Sequence, residues 1–258
     1  MAFDLEAIRR KVEQLNGAGK KNSAMWKPKP GEYTVRLVPL PTKDGQPFKE
    51  LKFYYNIGTN PGLLAPSQFH EPDPIQELIT KLKSDGTSDS YNIAKKLYPK
   101  MRIFAGVVVR GEEDKGVQIW GFGKQVYQAL LNLMLDVDYG DITDPKEGRD
   151  IKISISKGPG EEYAKTTVTP KPKVTKLSED SKVAAEWLKS APDVDALYTL
   201  KSYDELEKII GDWLKTGGSE NSSEGGSELV TDEKKSTPTA KSTKSASLDD
   251  VFEDLENG

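Results

Sequence analysis

The sequence predicts an α+β protein: a small OB-type β-barrel core with helical insertions, an N-terminal helical arm and a disordered acidic C-terminal tail. Three observations carry this prediction. Segments of alternating polarity occur in pairs, segments of helical periodicity lie between and after them, and the composition changes sharply near residue 216. Five or six short strands with intervening helices are typical of a small barrel of the OB type. Pattern alone does not give the strand order.

Composition narrows the class of protein further. The chain has 258 residues, of which 35% are hydrophobic and 30% are charged, respectively low and high for a globular chain. It has no cysteine, which excludes disulfides, thiol nucleophiles and cysteine-based zinc sites. No apolar run approaches the length needed to span a membrane, and the N-terminus lacks the apolar region of a secretory signal.

Residues 1–24 are predicted to form a helical arm. Asp4 can cap a helix, and a loop rich in Gly, Lys and Pro separates this helix from the body. Its polar side carries a basic triplet: Arg9, Arg10 and Lys11. Its apolar side holds residues at helical spacing: Leu5, Ile8, Val12 and Leu15.

The first part of the body is predicted to contain a hairpin and two helices. Residues 32–40 alternate as a half-buried strand, and residues 47–58 follow the turn "TKDGQ" as its hairpin partner. Residues 74–86 and 90–100 have the periodicity of two short helices.

The second part is predicted to contain two more hairpins around a core helix. Residues 101–110 are an apolar, β-branched run with 117–123 as hairpin partner, and residues 149–158 pair with 163–170. The helix 124–137 lies between the hairpins. Its predicted core face is Val126, Leu130, Leu133 and Val137. After a linker over 170–177, two further helices cover 180–189 and 202–214.

The chain therefore divides into an arm (1–24), a core (25–215) and a tail (216–258). The tail has ten acidic residues and four lysines, a net charge of −6, whereas the remainder has a net charge of +2. Its Ser, Gly, Glu, Lys and Thr cannot bury enough apolar surface to offset the entropy of ordering, which predicts disorder. A weakly basic body with an acidic tail is typical of proteins that bind nucleic acid.

The last twelve residues, "SLDDVFEDLENG", hold five acids and no base. Leu248, Val251, Phe252 and Leu255 have the spacing of one helix face. Two interpretations stay open: these apolar residues are incidental in a solvated tail, or they dock on a partner protein. The predicted docking residues are Leu248, Asp249, Asp250, Val251, Phe252, Glu253, Asp254 and Leu255.

Basic residues interleaved with aromatic residues give the main functional signal. Cations neutralise phosphates, and flat rings stack on unpaired bases, so this pairing suits single-stranded nucleic acid. The alternative is that the rings belong to the core and that the lysines lie on an ordinary solvated surface. We expect binding instead, because successive side chains of a strand point to opposite faces, so the residues of "FYY" and "IWGF" cannot all point inward. The predicted binding residues are Lys49, Lys52, Tyr54, Tyr55, Tyr91, Lys95, Lys96, Tyr98, Lys100, Arg102, Phe104, Arg110, Trp120, Phe122 and Lys124.

Other chemistries are weakly represented. His70 is the one histidine and is read as a loop residue, and "GFGK" lacks the spacing of a Walker loop. Residues 136–147 depart from a calcium loop at its fifth and sixth positions. The acids at 112–114 and at 136 and 138 have no partner histidine, so we expect no enzyme, cofactor or metal. An RNA-binding protein or a metal-dependent nucleic-acid-processing enzyme remains the alternative.

Several segments, in order, resemble the single-stranded DNA-binding protein family of T-even-type bacteriophages. They are "TVRLVPLPTKDGQPF", "SYNIAKK", "WGFGKQVY", "DVDYG" and "SLDDVFEDLENG". The resemblance implies a phage protein, located in the cytoplasm of the host cell, that coats single-stranded DNA cooperatively, with little sequence preference, in phage replication, recombination and repair.

The resemblance also implies roles and partners for particular residues. Neighbouring copies along the DNA would be contacted through Arg9, Arg10 and Lys11, and replication and recombination proteins through the tail. A DNA cleft would be lined by Tyr91, Lys95, Lys96, Trp120 and Phe122.

The best-known members of that family hold a zinc ion with one His and three Cys. Here Asp73 and Gln76 stand where a C-x-x-C pair would be, so that zinc site cannot form. We expect apolar packing to hold this region together instead. The packing residues are Ile75, Leu78, Ile79 and Leu82.

Overall fold

The computed structural model describes residues 24–42, 45–161 and 163–216. The predicted arm residues Arg9, Arg10 and Lys11 and the predicted docking residues of the tail lie outside the described residues. The chain divides into two compact units. Unit 1 comprises residues 1–51 and 101–199, and unit 2 comprises residues 52–100 and 200–258.

The described residues form eight strands and five α-helices, which confirms the α+β prediction. The OB-type barrel stays a prediction. The strands are β1 (Met25–Trp26), β2 (Gly31–Val38), β3 (Lys49–Tyr54), β4 (Leu63–Leu64), β5 (Lys100–Val109), β6 (Gln118–Phe122), β7 (Arg149–Ser156) and β8 (Lys165–Val174). The helices are α1 (Pro74–Ser84), α2 (Ser88–Leu97), α3 (Lys124–Leu135), α4 (Ser181–Lys189) and α5 (Tyr203–Lys215).

Strand β2 lies at the centre of the sheet of unit 1, whose order is β1-β6-β5-β2-β7-β8. It pairs antiparallel with β5 on one side and with β7 on the other. The predicted hairpin between the first two strands is therefore wrong, because both edges of β2 are occupied. Strand β3 instead pairs with β4, with Phe53 opposite Leu64.

The other two hairpins are confirmed. Strands β5 and β6 pair antiparallel, as do β7 and β8. Strand β8 continues to Val174, through most of the segment that was predicted to be a linker, with Pro170 opposite Ile151. Strand β1 was not predicted, since its two residues lie in a Lys- and Pro-rich segment; it pairs parallel with β6.

The main core of unit 1 lies between this sheet and helix α3. Val35 and Leu37 of β2 are fully buried, and Val126 and Leu130 of α3 pack into the same cluster. Val137 is wrong as a core residue: its side chain is 100% exposed. Helix α3 ends at Leu135 because Asp136 adopts extended backbone angles, and this ends the helical face before it reaches Val137.

The rings of "FYY" and "IWGF" are more buried than predicted. Tyr54, Trp120 and Phe122 are each at most 4% exposed, and only Tyr55 of the two motifs' rings remains half-buried. The expectation that these motifs cannot all turn inward holds for Tyr55 alone, since the other rings of both motifs are buried. In β6, Trp120 and Phe122 join the main core while Ile119 between them is also fully buried, so both faces of that strand are covered.

The opposite face of β2 carries a buried charge, Arg36. Its guanidinium donates hydrogen bonds to the backbone carbonyls of Ile142, Asp144 and Arg149, the last at 3.0 Å. Burial lowers the pKa of Arg36 to about 10, although the nearby Asp150 carboxylate acts in the opposite direction. The group therefore stays charged at neutral pH and fixes the loop that connects α3 to β7.

A glycine makes room for this guanidinium. A Cβ atom at Gly148 would lie 2.2 Å from Nη2 of Arg36 and 2.5 Å from the carbonyl oxygen of Asp144. Displacing either atom costs free energy, because the Arg36 guanidinium is held by backbone carbonyls and the Asp144 oxygen is itself part of the backbone.

A smaller cluster holds helix α4 on unit 1. Trp187 of α4 packs with Val38, Val108 and Leu177. Close by, Arg110 pairs with Asp150 at 2.9 Å and donates to the carbonyls of Lys176 and Leu177. This ion pair is largely buried and ties the segment that follows β8 to the sheet.

Unit 2 is a helical unit built on α1, α2 and α5. Its core contains all four apolar residues that were predicted to replace a metal site. Ile75, Leu78, Ile79 and Leu82 are each at most 3% exposed, which confirms that prediction. Within the described ranges, no helix is both long enough and apolar enough to cross a membrane.

We expect Gly148→Ala to destabilise the protein by at least about 3 kcal/mol, because the added methyl group displaces the Arg36 guanidinium from its carbonyl partners. Urea unfolding measures the change. Gly123→Ala is the matched control, since a Cβ there meets nothing within 4 Å; it should cost no more than about 1 kcal/mol. Equal losses in the two variants would contradict the prediction.

Candidate nucleic-acid interface

A basic cleft of about 430 Å³ opens on unit 2. Three lysines and two asparagines supply its polar lining, and two aromatic residues supply its apolar lining; none of the described residues that line it is acidic. The lining residues are Tyr55, Asn56, Asn92, Lys95, Lys96, Lys100 and Trp213. A cleft of one charge sign concentrates an anionic ligand.

Helix α2 supplies one wall. Its N-terminus is capped by Thr87, whose hydroxyl oxygen accepts from the backbone N–H of Ser90 at 3.2 Å. Asn92, Lys95 and Lys96 then follow at i, i+3 and i+4, which places them on one face of the helix. Both lysines lie in the last turn, where the helix dipole favours positive charge. Tyr91, one residue before Asn92, is 55% exposed.

Acidic Asp85 lies at the start of this wall and is held in the turn before α2. Its carboxylate accepts hydrogen bonds from the hydroxyls of Ser90 and Thr87, which lower its pKa below the ordinary value. The carboxylate thus serves the local cap, and it does not line the cleft.

The segment after β3 supplies a second wall. Asn56 has a left-handed backbone (φ 61°), a conformation that Asn tolerates better than most residues. The ring of Tyr55 lies so close to Gly62 that a Cβ there would be 3.1 Å from it. The same ring lies 5.9 Å from that of Phe53, so contacts on two sides hold it at the cleft.

Helix α5 supplies the third wall through Trp213. A reciprocal capping box between Ser202 and Glu205 starts this helix. Trp213 is 3% exposed and packs in the core of unit 2, while its ring also lines the cleft. Sequence reasoning missed it, because its helical spacing with Leu206 and Ile210 indicates only a core residue.

A buried cluster of hydrogen bonds forms around Asp73 and Tyr54, the residue before Tyr55 of the cleft. The carboxylate of Asp73 accepts from the Tyr54 hydroxyl at 2.7 Å and from the N–H groups of Ser67 at 3.2 Å and Gln76 at 3.1 Å. Asp73 thereby caps α1, whose first residue is Pro74. Burial and the Asp73 charge raise the pKa of Tyr54 well above its ordinary value.

The predicted binding residues fall into three groups by exposure. Lys52, Tyr91, Lys95, Lys96 and Lys124 are exposed. Lys49, Tyr55, Tyr98, Lys100, Arg102 and Arg110 are half-buried. Tyr54, Phe104, Trp120 and Phe122 are buried, each at most 4% exposed. The structure brings four of the fifteen together in the cleft: Tyr55, Lys95, Lys96 and Lys100.

Several of the others have structural partners. Lys49 pairs with Asp195 at 2.7 Å, Arg110 pairs with Asp150, and Arg102 donates to the carbonyl of Gly121 at 2.7 Å. The rings of Trp120 and Phe122 lie 4.5 Å apart in the core. The ring of Phe104 lies 5.6 Å from that of Tyr198, and Lys83 lies over the Tyr98 ring at 4.8 Å. These groups already serve packing or charge pairing, which the sequence pattern did not reveal.

A second cavity, of about 590 Å³, lies on unit 1. It is lined by groups of both signs, including Glu32, Arg110, Asp150 and Lys171. Since Arg110 and Asp150 neutralise each other, this cavity should attract an anion less strongly than the cleft does.

The remaining motifs have local roles. His70 is exposed and ends a short 3-10 turn with a left-handed backbone. Glu112 pairs with Lys115 at 2.7 Å. The Asp144 carboxylate accepts from the N–H groups of Lys146 and Glu147, which lowers its pKa. Among the described residues, no group of three or more His, Asp or Glu residues is placed to hold a metal ion.

A basic cleft beside an exposed ring, on an α+β scaffold, is the arrangement of a nucleic-acid-binding protein. Comparison with known families is consistent with this class. The family model described as gp32 DNA binding protein like matches residues 29–212, and the chain belongs to that family of DNA-binding proteins. The resemblance seen in the sequence is thereby confirmed. No curated protein sequence matches the chain significantly.

As the pH rises from 10 to 12, we expect the free energy of unfolding to fall less in the Tyr54→Phe variant than in the unmodified protein. An unfolded tyrosine ionises near pH 10, whereas the raised pKa of Tyr54 keeps the folded form protonated. Its contribution is therefore fully present below pH 10 and is lost as the pH rises. Urea unfolding of both proteins at pH 9 and pH 11.5 checks this. A Tyr139→Phe variant in unit 1 controls for the general effect of alkali, and identical pH dependence in all three proteins would refute the prediction.

Proposed function

We propose that this protein binds single-stranded DNA, with little dependence on base sequence, through the cleft of unit 2. The observation that carries the proposal is the set of three lysines in a cleft whose described lining residues include no carboxylate. Phosphate neutralisation by lysine releases counterions and does not depend on the base.

Aromatic groups favour a single strand over a duplex. Tyr91 is more than half exposed on the helix that carries Lys95 and Lys96, and Tyr55 lines the cleft. Unpaired bases stack on such rings at about 1–3 kcal/mol each, whereas the bases of a duplex are already stacked. The asparagine side chains of the cleft can donate to phosphate oxygens and can both donate to and accept from base edges.

The wider role follows from the family and is part of the proposal. We propose that the protein coats DNA cooperatively during phage replication, recombination and repair in the host cytoplasm. In this proposal unit 1 is an OB-type core, residues 1–24 contact neighbouring copies, and the acidic tail (216–258) docks replication and recombination proteins. Binding alone accounts for these roles, and no catalytic step is needed.

We expect Lys96→Ala and Lys100→Ala each to weaken binding to oligo(dT) several-fold. Each should also lower the slope of log affinity against log salt by about 0.7, the value for one phosphate contact on a single strand. Fluorescence titration at several salt concentrations measures both quantities, with Trp213 at the cleft as a reporter.

Lys182→Ala is the control for the preceding variants, since it removes one exposed lysine from α4 in unit 1. It should leave affinity and slope unchanged. Tyr91→Ala should weaken binding without changing the slope, since it removes a stacking surface and no charge. An unchanged salt slope in both cleft variants would contradict the assignment of the cleft, and tighter binding to oligo(rU) would favour the RNA-binding alternative.

We expect removal of residues 217–258 to tighten binding, more strongly at low salt. This segment has the ten acidic residues and four lysines of the predicted tail, and its charges compete with phosphates for the lysines. Affinity of the full and shortened chains at 50 and 300 mM salt measures the effect. A variant with the tail acids changed to Asn and Gln should match the shortened chain; if it instead matches the full chain, charge competition is the wrong explanation.

A further inference from the structure

Trp213 of helix α5 belongs both to the core of unit 2 and to the wall of the cleft. Its side chain joins Leu206 and Ile210 in the core cluster, and its ring also lines the cleft. The residue is 3% exposed. Its indole nitrogen Nε1 is buried, and within the described part of the chain no group accepts a hydrogen bond from it.

Such an unpaired donor is unusual in a native structure. Nearly all buried polar groups have a hydrogen-bond partner. A buried N–H that is shielded from water and meets no acceptor costs about 1–3 kcal/mol. An acceptor that arrives with a ligand of the cleft would remove this cost, so the N–H of Trp213 favours the bound state over the free state.

The other groups of the wall indicate which kind of acceptor fits. The ammonium groups of Lys95, Lys96 and Lys100 and the indole N–H donate hydrogen bonds and cannot accept them. The carboxamide groups of Asn56 and Asn92 are exposed and supply further N–H donors. A phosphate oxygen only accepts, so it complements this set of donors. Base edges present donors as well as acceptors and complement it less well.

We propose that the indole N–H of Trp213 donates to a phosphate oxygen of the strand bound in the cleft. This inference rests on the proposed function and adds a neutral donor to the contacts made by the lysines. Because Nε1 is covered in the free protein, the ring turns toward the cleft when the phosphate enters. A flexible lysine attracts a phosphate over a range of positions, whereas an N–H on a ring largely enclosed by the core restricts where one phosphate lies.

The contact should differ from those of the lysines in its response to salt. Each lysine that neutralises a phosphate releases counterions, so its contribution to affinity falls as the salt concentration rises. The indole carries no charge, and loss of its N–H should weaken binding by the same factor at every salt concentration. The cleft then combines contacts that salt weakens with one that it does not.

Replacement of Trp213 by benzothienylalanine tests the proposal on the full chain, because this analogue keeps the bicyclic ring and carries sulfur in place of the N–H. Anisotropy of a labelled oligo(dT) measures affinity at several salt concentrations. We expect a loss of about tenfold, the ordinary effect of a hydrogen bond to a charged group, and an unchanged slope of log affinity against log salt. The same analogue at Trp187, in the smaller core cluster of unit 1, is the matched control and should change neither quantity.

The NMR signal of the indole N–H gives an independent readout in the unmodified protein. The chain has four tryptophans, and the indole signal that the analogue removes belongs to Trp213. Saturating oligo(dT) should move that signal downfield, because a new hydrogen bond deshields the proton. A base-free deoxyribose-phosphate oligomer should move it in the same direction. A shift with oligo(dT) alone would mean that a base is the acceptor and would overturn the proposal.

The remaining outcomes separate this inference from the proposed function. Full affinity in the Trp213 analogue, or equal losses at Trp213 and Trp187, would overturn the inference and leave the lysines of the cleft in their proposed role. A loss that shrinks as salt rises would mean that Trp213 only positions the lysines, which also overturns it. Absence of oligo(dT) binding by the unmodified protein at low salt would mean that the proposed function itself is wrong.

Discussion

The structure of unit 1 depends on one buried cation. Arg36 lies on the central strand β2, with strands paired on both of its edges, and its guanidinium donates to two backbone carbonyls of the loop before β7 and to that of Arg149, the first residue of β7. That loop determines where β7 begins and, through Arg149, where the end of α3 and the end of β8 meet. A buried charge without such partners would be severely destabilising, so the loop and the strand require each other.

In unit 2 the buried polar contact joins a neutral group, the Tyr54 hydroxyl, to an anion, the Asp73 carboxylate. Asp73 is buried, and its carboxylate accepts hydrogen bonds from the Tyr54 hydroxyl and from the backbone N–H groups of Ser67 and Gln76. Around it, apolar side chains of α1 and α5 form the core. Hydrogen bonding and burial thus fix α1 in a chain that contains no cysteine. The cleft is built on this unit, which explains why its walls come from three separate parts of the chain.

The lysines of the two units differ in their surroundings. The lysines that pack in unit 1 or pair with acids, such as Lys49 with Asp195, carry little net field. Three lysines line the cleft of unit 2, and none of the described residues that line it is acidic.

The sequence by itself determined most of the helices and longer strands, the absence of a cysteine-bound metal and the basic, aromatic character of the proposed binding region. Local periodicity and composition are enough for these, because they depend on which residues alternate and which types occur. Only the tertiary structure decided which of the cations and rings line the cleft and which are buried in the core. Lys96 and Arg110 were both predicted to bind, but strand order places Asp150 beside Arg110, and packing on both faces of β6 buries Trp120. Trp213 joins the cleft for the same reason, since long-range packing brings α5 beside α2.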